Sequence, residues 1–143
     1  MREDQYMDMD VTKVDRRYAS AVYTRDRMKV KLREISELAV ESGWQDWLLE
    51  SYLHVSESYA EAVETLQVID LAREKRGGWT RFWITDGGSK VHSRESCSAL
   101  ARAHSPALMP EFSGLPAFMF SWPGGSHLCH YCRCAEKRAR AQR

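Results

Sequence analysis

Four residues in the second half of the chain have the types and the spacing of a metal site. Cys129 and Cys132 are separated by two residues, and four residues separate His92 from Cys97. A Cys-x2-Cys turn presents two thiolates to one ion, and a His-x4-Cys pair at the end of a strand can supply two more ligands. One imidazole and three thiolates form a common closed tetrahedral zinc site. The sequence therefore predicts a structural Zn²⁺ ion held by these four residues.

Other ligand sets stay open at this stage. Further histidines and one further cysteine could replace a member of the set, above all His92: Cys134, His127, His130 and His104. Four cysteines could instead hold an iron–sulfur cluster, which would suit an iron- or redox-sensing regulator. The cysteines could also be small buried apolar residues. Disulfides are not expected, because we predict a reducing compartment.

A Cys–His nucleophile is the catalytic alternative. Cys97 with His92 or His127 could form such a dyad. Residues 77–143 contain only four acidic residues and show no Gly-rich phosphate loop. Nothing in the pattern supplies the third, orienting group that such a site needs, so we predict no enzymatic activity and no small-molecule substrate.

The residues before His92 predict a β-hairpin. The segment 79–85 is rich in aromatic and β-branched residues, 86–89 has turn composition, and 90–93 would return. An isolated hairpin is marginal in water, so a bound ion would serve as its staple. Between Cys97 and Cys129, four prolines and nearby glycines predict an irregular loop.

The chain ends in a basic, alanine-rich segment that is compatible with a short helix. Its cations follow the Cys-x2-Cys pair directly: Arg133, Lys137, Arg138, Arg140 and Arg143. Cations beside a zinc knuckle can neutralise phosphates, so nucleic-acid binding through these five residues is an alternative function.

The first half of the chain predicts two long helices. Apolar residues recur at alternating spacings of three and four over residues 11–39 and again over 48–69. Gly43 lies between the two repeats, where it can close a helix in the left-handed conformation. So short a connection favours an antiparallel two-helix coiled coil. Apolar residues outside this seam, among them Trp44, Trp47 and Leu53, predict self-association or a protein partner.

Charge is strongly segregated although the net charge is only +1. Residues 13–33 carry a net +6, residues 34–74 a net −9, and residues 77–143 a net +5. Glycines, aromatic residues and all four cysteines redistribute at about Gly77. We therefore divide the chain into a flexible acidic N-terminus (1–10), the helical pair (11–76) and the metal-binding module (77–143).

No apolar run approaches the roughly 20 residues of a membrane span, so membrane-spanning proteins are excluded. The segment 1–10 is acidic and lacks the apolar core of a secretion signal, and we expect a cytoplasmic protein.

One group of proteins resembles this chain over residues 77–132. The shared residues are Gly77–Trp83 (GGWTRFW), Val91-His92-Ser93, Ser96-Cys97-Ser98, and the late Cys-x2-Cys. They resemble small uncharacterised proteins of actinobacterial phages, mycobacteriophages in particular. That group usually has a second cysteine where this chain has Leu100, which brings His92 into the ligand set. The resemblance implies a phage protein that works in host cytoplasm, and it implies no activity.

These observations predict an α+β protein: an antiparallel coiled coil, a zinc-stapled β-hairpin module and a short basic C-terminal helix. The expected function is that of a non-enzymatic accessory protein. It would bind a host or phage protein, or itself, and modulate transcription, replication or defence.

Overall fold

The computed structural model describes residues 3–85, 90–103, 106–116 and 127–142, with the backbone only of His127. The described chain forms two compact units. The first comprises Met1–Asp8 and Arg17–Arg76, and the second comprises Met9–Arg16 and Gly77–Arg143. Among the described residues, no helix has the combination of length and apolar character that crossing a bilayer requires.

Two long helices dominate the first unit. Helix α2 spans Val11–Ser42 and helix α3 spans Asp46–Lys75, and the segment of α2 before Arg17 belongs to the second unit. Gly43 ends α2 with a φ of 78°, and its amide donates to the Ala39 carbonyl at 2.8 Å. A positive φ costs a residue with a Cβ roughly 1–2 kcal/mol, so glycine suits this position. The predicted helix end at Gly43 is confirmed.

The residues of the predicted apolar repeat form the buried face of α3. Its buried residues include five of the seven repeat positions: Leu48, Val55, Ala62, Leu66 and Ile69. Burying one large aliphatic side chain contributes roughly 1.5–3 kcal/mol, so this stripe stabilises the unit substantially. Several repeat positions of α2, such as Leu32 and Ile35, are only half-buried, because one neighbouring helix cannot cover them completely.

Two surface grooves show how α2 and α3 lie against each other. One is lined by residues between 31 and 38 of α2 and between 47 and 55 of α3. The other is lined by residues between 17 and 24 of α2 and between 58 and 65 of α3. The helices therefore run back along each other. The coiled-coil geometry of the pair stays a prediction.

The segment predicted as a flexible N-terminus contains a helical turn. Helix α1 spans Asp4–Met7, and Tyr6 within it is buried. The Arg76 guanidinium donates to the Tyr6 carbonyl at 2.9 Å, and Arg17 lies over the Tyr6 ring. A Lys75–Glu3 ion pair at 2.8 Å lies nearby. These contacts hold α1 against the helical pair, which composition alone does not predict.

The second unit contains a four-stranded sheet. Its strands are β1 Trp83–Ile84, β2 Lys90–His92, β3 Ala107–Leu108 and β4 His127–Leu128, and they lie in the order β3-β1-β2-β4. Strand β1 is antiparallel to β2 and β3, and β4 is parallel to β2. The predicted pairing of the segments around 83 and 91 is confirmed, and the predicted turn at 86–89 lies outside the described residues.

Two sequence expectations for this unit need correction. The first hairpin strand is shorter than the predicted 79–85, because its backbone pairs with neighbouring strands only at Trp83 and Ile84. Before this strand, the side chains of Trp79 and Arg81 bind an acid from α2. The region between Cys97 and Cys129 is not wholly irregular. It contains helix α4 (Ser98–Ala101), strand β3 and a 3₁₀ helix (Pro110–Phe112). The amides of Met109 and Gly114 donate to the carbonyls of Phe82 and Thr80, which anchors this segment to the sheet.

A small apolar core lies on one face of the sheet. Phe82, Val91 and Met109 are buried there, and Ile84 and Phe112 pack against them. Because side chains alternate along a strand, Trp83 and His92 point to the opposite face. That face carries the metal-site residues.

A buried polar cluster ties the start of α2 to the second unit, to which Asp15 belongs. Asp15 and Arg81 are 0% and 1% exposed, and Arg81 Nε lies 2.7 Å from Asp15 Oδ1. Trp79 Nε1 and Ser113 Oγ donate to Asp15 Oδ2 at 2.8 and 2.6 Å. The carboxylate is therefore satisfied without water. This is why residues 9–16 belong to the second unit.

Candidate metal centre

Strand pairing places two of the predicted ligands beside each other. In the ladder between β1 and β2, His92 faces Trp83, and its side chain is buried. Strand β4 pairs with β2, and the Cys129 amide donates to the Val91 carbonyl at 2.8 Å. Cys129 thereby lies next to His92 although 36 residues separate them in the sequence.

All three cysteines of the cluster lie at the starts of helices. Cys97 is the N-cap residue of α4, and Cys129 is the N-cap residue of helix α5, which spans His130–Ala141. Cys132 lies in the first turn of α5. Unpaired amides at helix N-termini attract negative charge, so thiolates at these positions are favoured.

The four predicted ligands form one buried cluster. The donor atoms of His92, Cys97, Cys129 and Cys132 all lie within 4.8 Å of one another. The Cys97 sulfur is 3.5 Å from His92 Nδ1 and 3.9 Å from the Cys129 sulfur. A tetrahedron with bonds of about 2.3 Å has edges of about 3.8 Å, so these separations match ligands around one ion. The cluster is compatible with metal binding.

None of the cysteines is in a disulfide. All four are free thiols, and the Cys97 and Cys129 sulfurs are 3.9 Å apart, well beyond the roughly 2.05 Å of an S–S bond. The prediction that these residues are not paired as disulfides is confirmed.

The backbone around Cys97 favours its thiolate. Burial raises the pKa of Cys97, but hydrogen bonds from the amides of Leu100 and Ala99, together with those from the thiols of Cys132 and Cys129, outweigh it. The net result is a pKa below the ordinary value. The start of α4 thus favours the thiolate form of Cys97, which is the form that binds a metal ion.

Cys132 has the opposite character. Burial, the largest influence, raises the pKa of Cys132 to about 11, and the neighbouring Cys97 thiolate also raises it. The amides of Ser93 and Arg94 donate to the Cys132 sulfur and partly offset this. Without a cation, the pocket therefore favours a neutral Cys132 thiol. A divalent ion would remove that penalty, because it compensates the charge of several thiolates at once.

His92 is prepared as a neutral ligand. Burial lowers the pKa of His92, and the positive charge of Lys90 lowers it further. A histidine must be deprotonated at one ring nitrogen to bind a metal ion, so this shift favours ligation at neutral pH. The ring nitrogen Nδ1 of His92 lies 3.5 Å from the Cys97 sulfur.

An apolar shell surrounds the cluster. Leu100 is buried with the cysteines, and Trp83, Ala99 and Leu128 pack against them. Such a shell limits access of water and competing ligands to a bound ion.

Two of the remaining ligand candidates lie on α5, away from the cluster, and the other two lie outside the described residues. The Cys134 sulfur faces His130 Nε2 at 3.6 Å, one helical turn away on α5. His130 is exposed. His104 and the side chain of His127 lie outside the described residues. The donor set that the structure brings together is the predicted one, and Cys134 is not part of it.

The predicted basic helix is present as α5. Four of the five predicted nucleic-acid contacts lie on it, and Arg143 lies outside the described residues. Arg133, Lys137 and Arg140 are exposed and share one face of α5 because they are spaced by four and three residues. Arg138 is exposed on another face.

Comparisons with protein-family models, with curated proteins and with solved structures found no match to this chain. Functional inference therefore depends on the residues themselves.

Sequence reasoning missed the backbone donors of the site. The amides of residues 93, 94, 99 and 100 lower the pKa values of Cys97 and Cys132, yet amides leave no trace in residue types. A usable signal was the position of Cys97 and Cys129 just before helix-compatible segments, where N-caps occur.

Proposed function

We propose that this protein is a non-enzymatic accessory protein. In this proposal a structural zinc ion closes its second unit and its helical pair binds another protein. The observation that carries it is the buried cluster of one imidazole and three thiols within 4.8 Å. Four protein ligands complete the tetrahedral coordination of a zinc ion and leave no coordination position for a substrate. This is typical of structural rather than catalytic sites.

The donor set supports zinc over an iron–sulfur cluster. A cluster would normally use four cysteines. The fourth cysteine of this chain, Cys134, lies by His130 on α5, and His92 takes the fourth place in the donor set. Mixed sulfur and nitrogen ligands in a tetrahedron suit Zn²⁺.

The ion would supply folding energy to the second unit. Among the described residues, its apolar cluster consists of three buried side chains, Phe82, Val91 and Met109. A bound ion would join β2, α4 and α5, since β2 and α5 each contain a ligand and α4 directly follows one, Cys97. Metal binding to such a small segment is folding free energy.

The interaction role is supported by the helical pair. Large apolar side chains such as Trp44, Trp47 and Leu53 are more than half exposed there. Exposed apolar clusters rimmed by polar residues are typical of protein-binding surfaces. The resemblance to actinobacteriophage proteins suggests that the partner is a host or phage protein in the cytoplasm of an infected cell.

Metal analysis and partner capture test this proposal. Freshly purified full-length protein should contain one zinc per chain, and Cys129→Ser should lose it while the control Cys134→Ser keeps it. Immobilised full-length protein should retain a specific partner from actinobacterial lysate. A metal-free preparation, or an iron-containing coloured one, contradicts the zinc assignment. Failure to retain any partner contradicts the interaction role.

Nucleic-acid binding is the second candidate, and the exposed stripe of Arg133, Lys137 and Arg140 on α5 favours it. A gel shift across salt concentrations tests it: log affinity should fall with log salt by about 0.9 per phosphate contact. Arg133→Gln with Lys137→Gln should reduce both affinity and slope. Arg27→Gln, an exposed cation of the helical unit, is the matched control. No shift at about 50 mM salt would rule this function out.

A further inference from the structure

The linked end of the helical pair carries an unusual concentration of exposed apolar side chains. We call residues 34–53, with Gly43 near their middle, the tip. Among the described residues, six of the eleven large apolar side chains found exposed lie here: Leu38, Val40, Trp44, Trp47, Leu49 and Leu53. Their exposed fractions run from 41% to 87%. Leaving so much apolar surface in water is unfavourable unless a partner covers it.

The tip also has one sign of charge. It contains five acidic residues and no Lys or Arg, and every one of these acids is exposed: Glu34, Glu37, Glu41, Asp46 and Glu50. Arg33, just outside the tip, is 4.0 Å from Glu37, and this exposed contact is weak. The apolar surface is therefore rimmed by negative charge.

A groove runs along the tip between α2 and α3. Its volume is 440 Å³, and its lining is mainly apolar, with one acid, Glu34, and one cation, Lys31, at the end away from Gly43. The apolar side chains include Ile35, Leu38, Trp47 and Val55. A groove between two helices is suited to a third helix, whose ridge of side chains fits between theirs.

We propose that the tip binds a basic amphipathic helix of a partner protein. Its apolar side chains would occupy the groove, and its flanking Lys or Arg residues would meet the five carboxylates. This inference rests on the proposed interaction function and names the chemistry of the partner. Large aromatic side chains such as Trp44 and Trp47 are common anchors in such interfaces.

Charge argues against the other occupants. Two tips brought together would place five acids against five, which disfavours a tip-to-tip pair of copies. The same acids would be repelled by an anionic membrane surface. Phosphates would repel them too, so nucleic acid belongs to α5 and not to the tip.

The test uses full-length protein and three designed peptides. The first is an 18-residue amphipathic helix with Leu on one face and Lys on the flanks. The second replaces each Lys by Glu, and the third has the first peptide's composition in scrambled order. We expect the first to bind and to change tryptophan fluorescence, and the other two to bind at least about tenfold more weakly. Equal binding by the scrambled peptide would mean nonspecific charge attraction and would overturn the proposal, as would equal binding by the acidic peptide.

Matched variants place the site. Leu53→Ser and Trp47→Ala should each weaken peptide binding about tenfold or more, as expected for anchor residues. Leu71→Ser is the control, because Leu71 is exposed on the same helix outside the tip. Glu50→Gln should weaken peptide binding. Glu57→Gln, which changes an acid about two helical turns further along α3 and outside the tip, should not. Unchanged binding in the tip variants would overturn the proposal.

Two further readouts separate the alternatives. Sedimentation that shows a dimer abolished by Leu53→Ser would mean that a second copy covers the tip, which overturns the proposal. If a partner captured from lysate still binds the Trp47→Ala and Leu53→Ser variants, the interaction function stands and the tip assignment fails. Unchanged helical circular dichroism verifies that each variant is folded.

Discussion

Asp15 and Arg81 form a fully buried ion pair, with Nε and Oδ1 2.7 Å apart, although 66 positions separate them in the sequence. Trp79 and Ser113 satisfy the second carboxylate oxygen. Removing one partner from such a pair leaves an uncompensated buried charge, which costs more than the pair itself contributes. The pair therefore acts as a strong constraint on how the second unit assembles.

Replacing Asp15 should destabilise the protein severely. We expect Asp15→Ala to lower the free energy of unfolding of the second unit by about 3–5 kcal/mol, because Arg81 would keep a buried charge. Ser113→Ala removes one hydrogen bond to the same carboxylate and should cost about 1.5–3 kcal/mol. Urea unfolding followed by tryptophan fluorescence measures both. A cost for Asp15→Ala no greater than for Ser113→Ala would contradict this account.

Loss of a metal ligand should unfold one unit and spare the other. Cys129→Ser or Cys132→Ser should release the ion, because three ligands with one weak hydroxyl hold zinc poorly. Helical circular dichroism should stay largely intact, since α3 and most of α2 belong to the first unit. Cys134→Ser is the control. A collapse of helix content would show that the two units fold as one.

Metal binding should survive replacement of His92 by another residue that can bind zinc, but not by one that cannot. His92→Ala should weaken metal affinity by more than about 100-fold, because even outer-shell changes cost 10–100-fold. His92→Cys should retain the ion and strengthen the sulfur-to-metal charge-transfer band of the Co²⁺-substituted protein. Stoichiometric zinc of unchanged affinity in His92→Ala would remove His92 from the ligand set and point to another residue, such as His127.

Metal affinity should rise with pH. The pKa of Cys132 is raised to about 11, so its thiol is protonated at pH 7 when no ion is bound, and the ion must displace that proton. His92, with its lowered pKa, is already neutral at that pH and releases none. Affinity should thus increase about tenfold per pH unit for each proton displaced. Chelator competition between pH 6 and 8 measures this, and an affinity that does not vary with pH would contradict it.

Local patterns in the sequence predict much of this structure. The apolar repeat identifies the buried stripe of α3, because helical periodicity depends only on neighbours within one or two turns. The Cys-x2-Cys and His-x4-Cys spacings identify the donor set for a similar reason. So few residues separate the two members of each pair that their side chains can reach the same ion.

What the sequence does not predict is long-range and polar. Strands β3 and β4 have two residues each, too few for an alternating pattern to show. Asp15 lies on a highly charged helix, where an acid is ordinarily expected in solvent, and its partners are 64–98 positions away. The one available signal was that Trp79 and Arg81 are two apart and so share a face of an extended segment.

The membership of residues 9–16 in the second unit has a consequence for biosynthesis. This segment leaves the ribosome before its partners Arg81 and Ser113 and before Cys132, and 98 positions separate Asp15 from Ser113. At 5–20 residues per second that delay is on the order of 10 s. During this delay the Asp15 carboxylate stays hydrated, so the second unit can close only after Cys132 has left the ribosome. A fragment that starts at Gly77 would lack Asp15, the buried partner of Arg81.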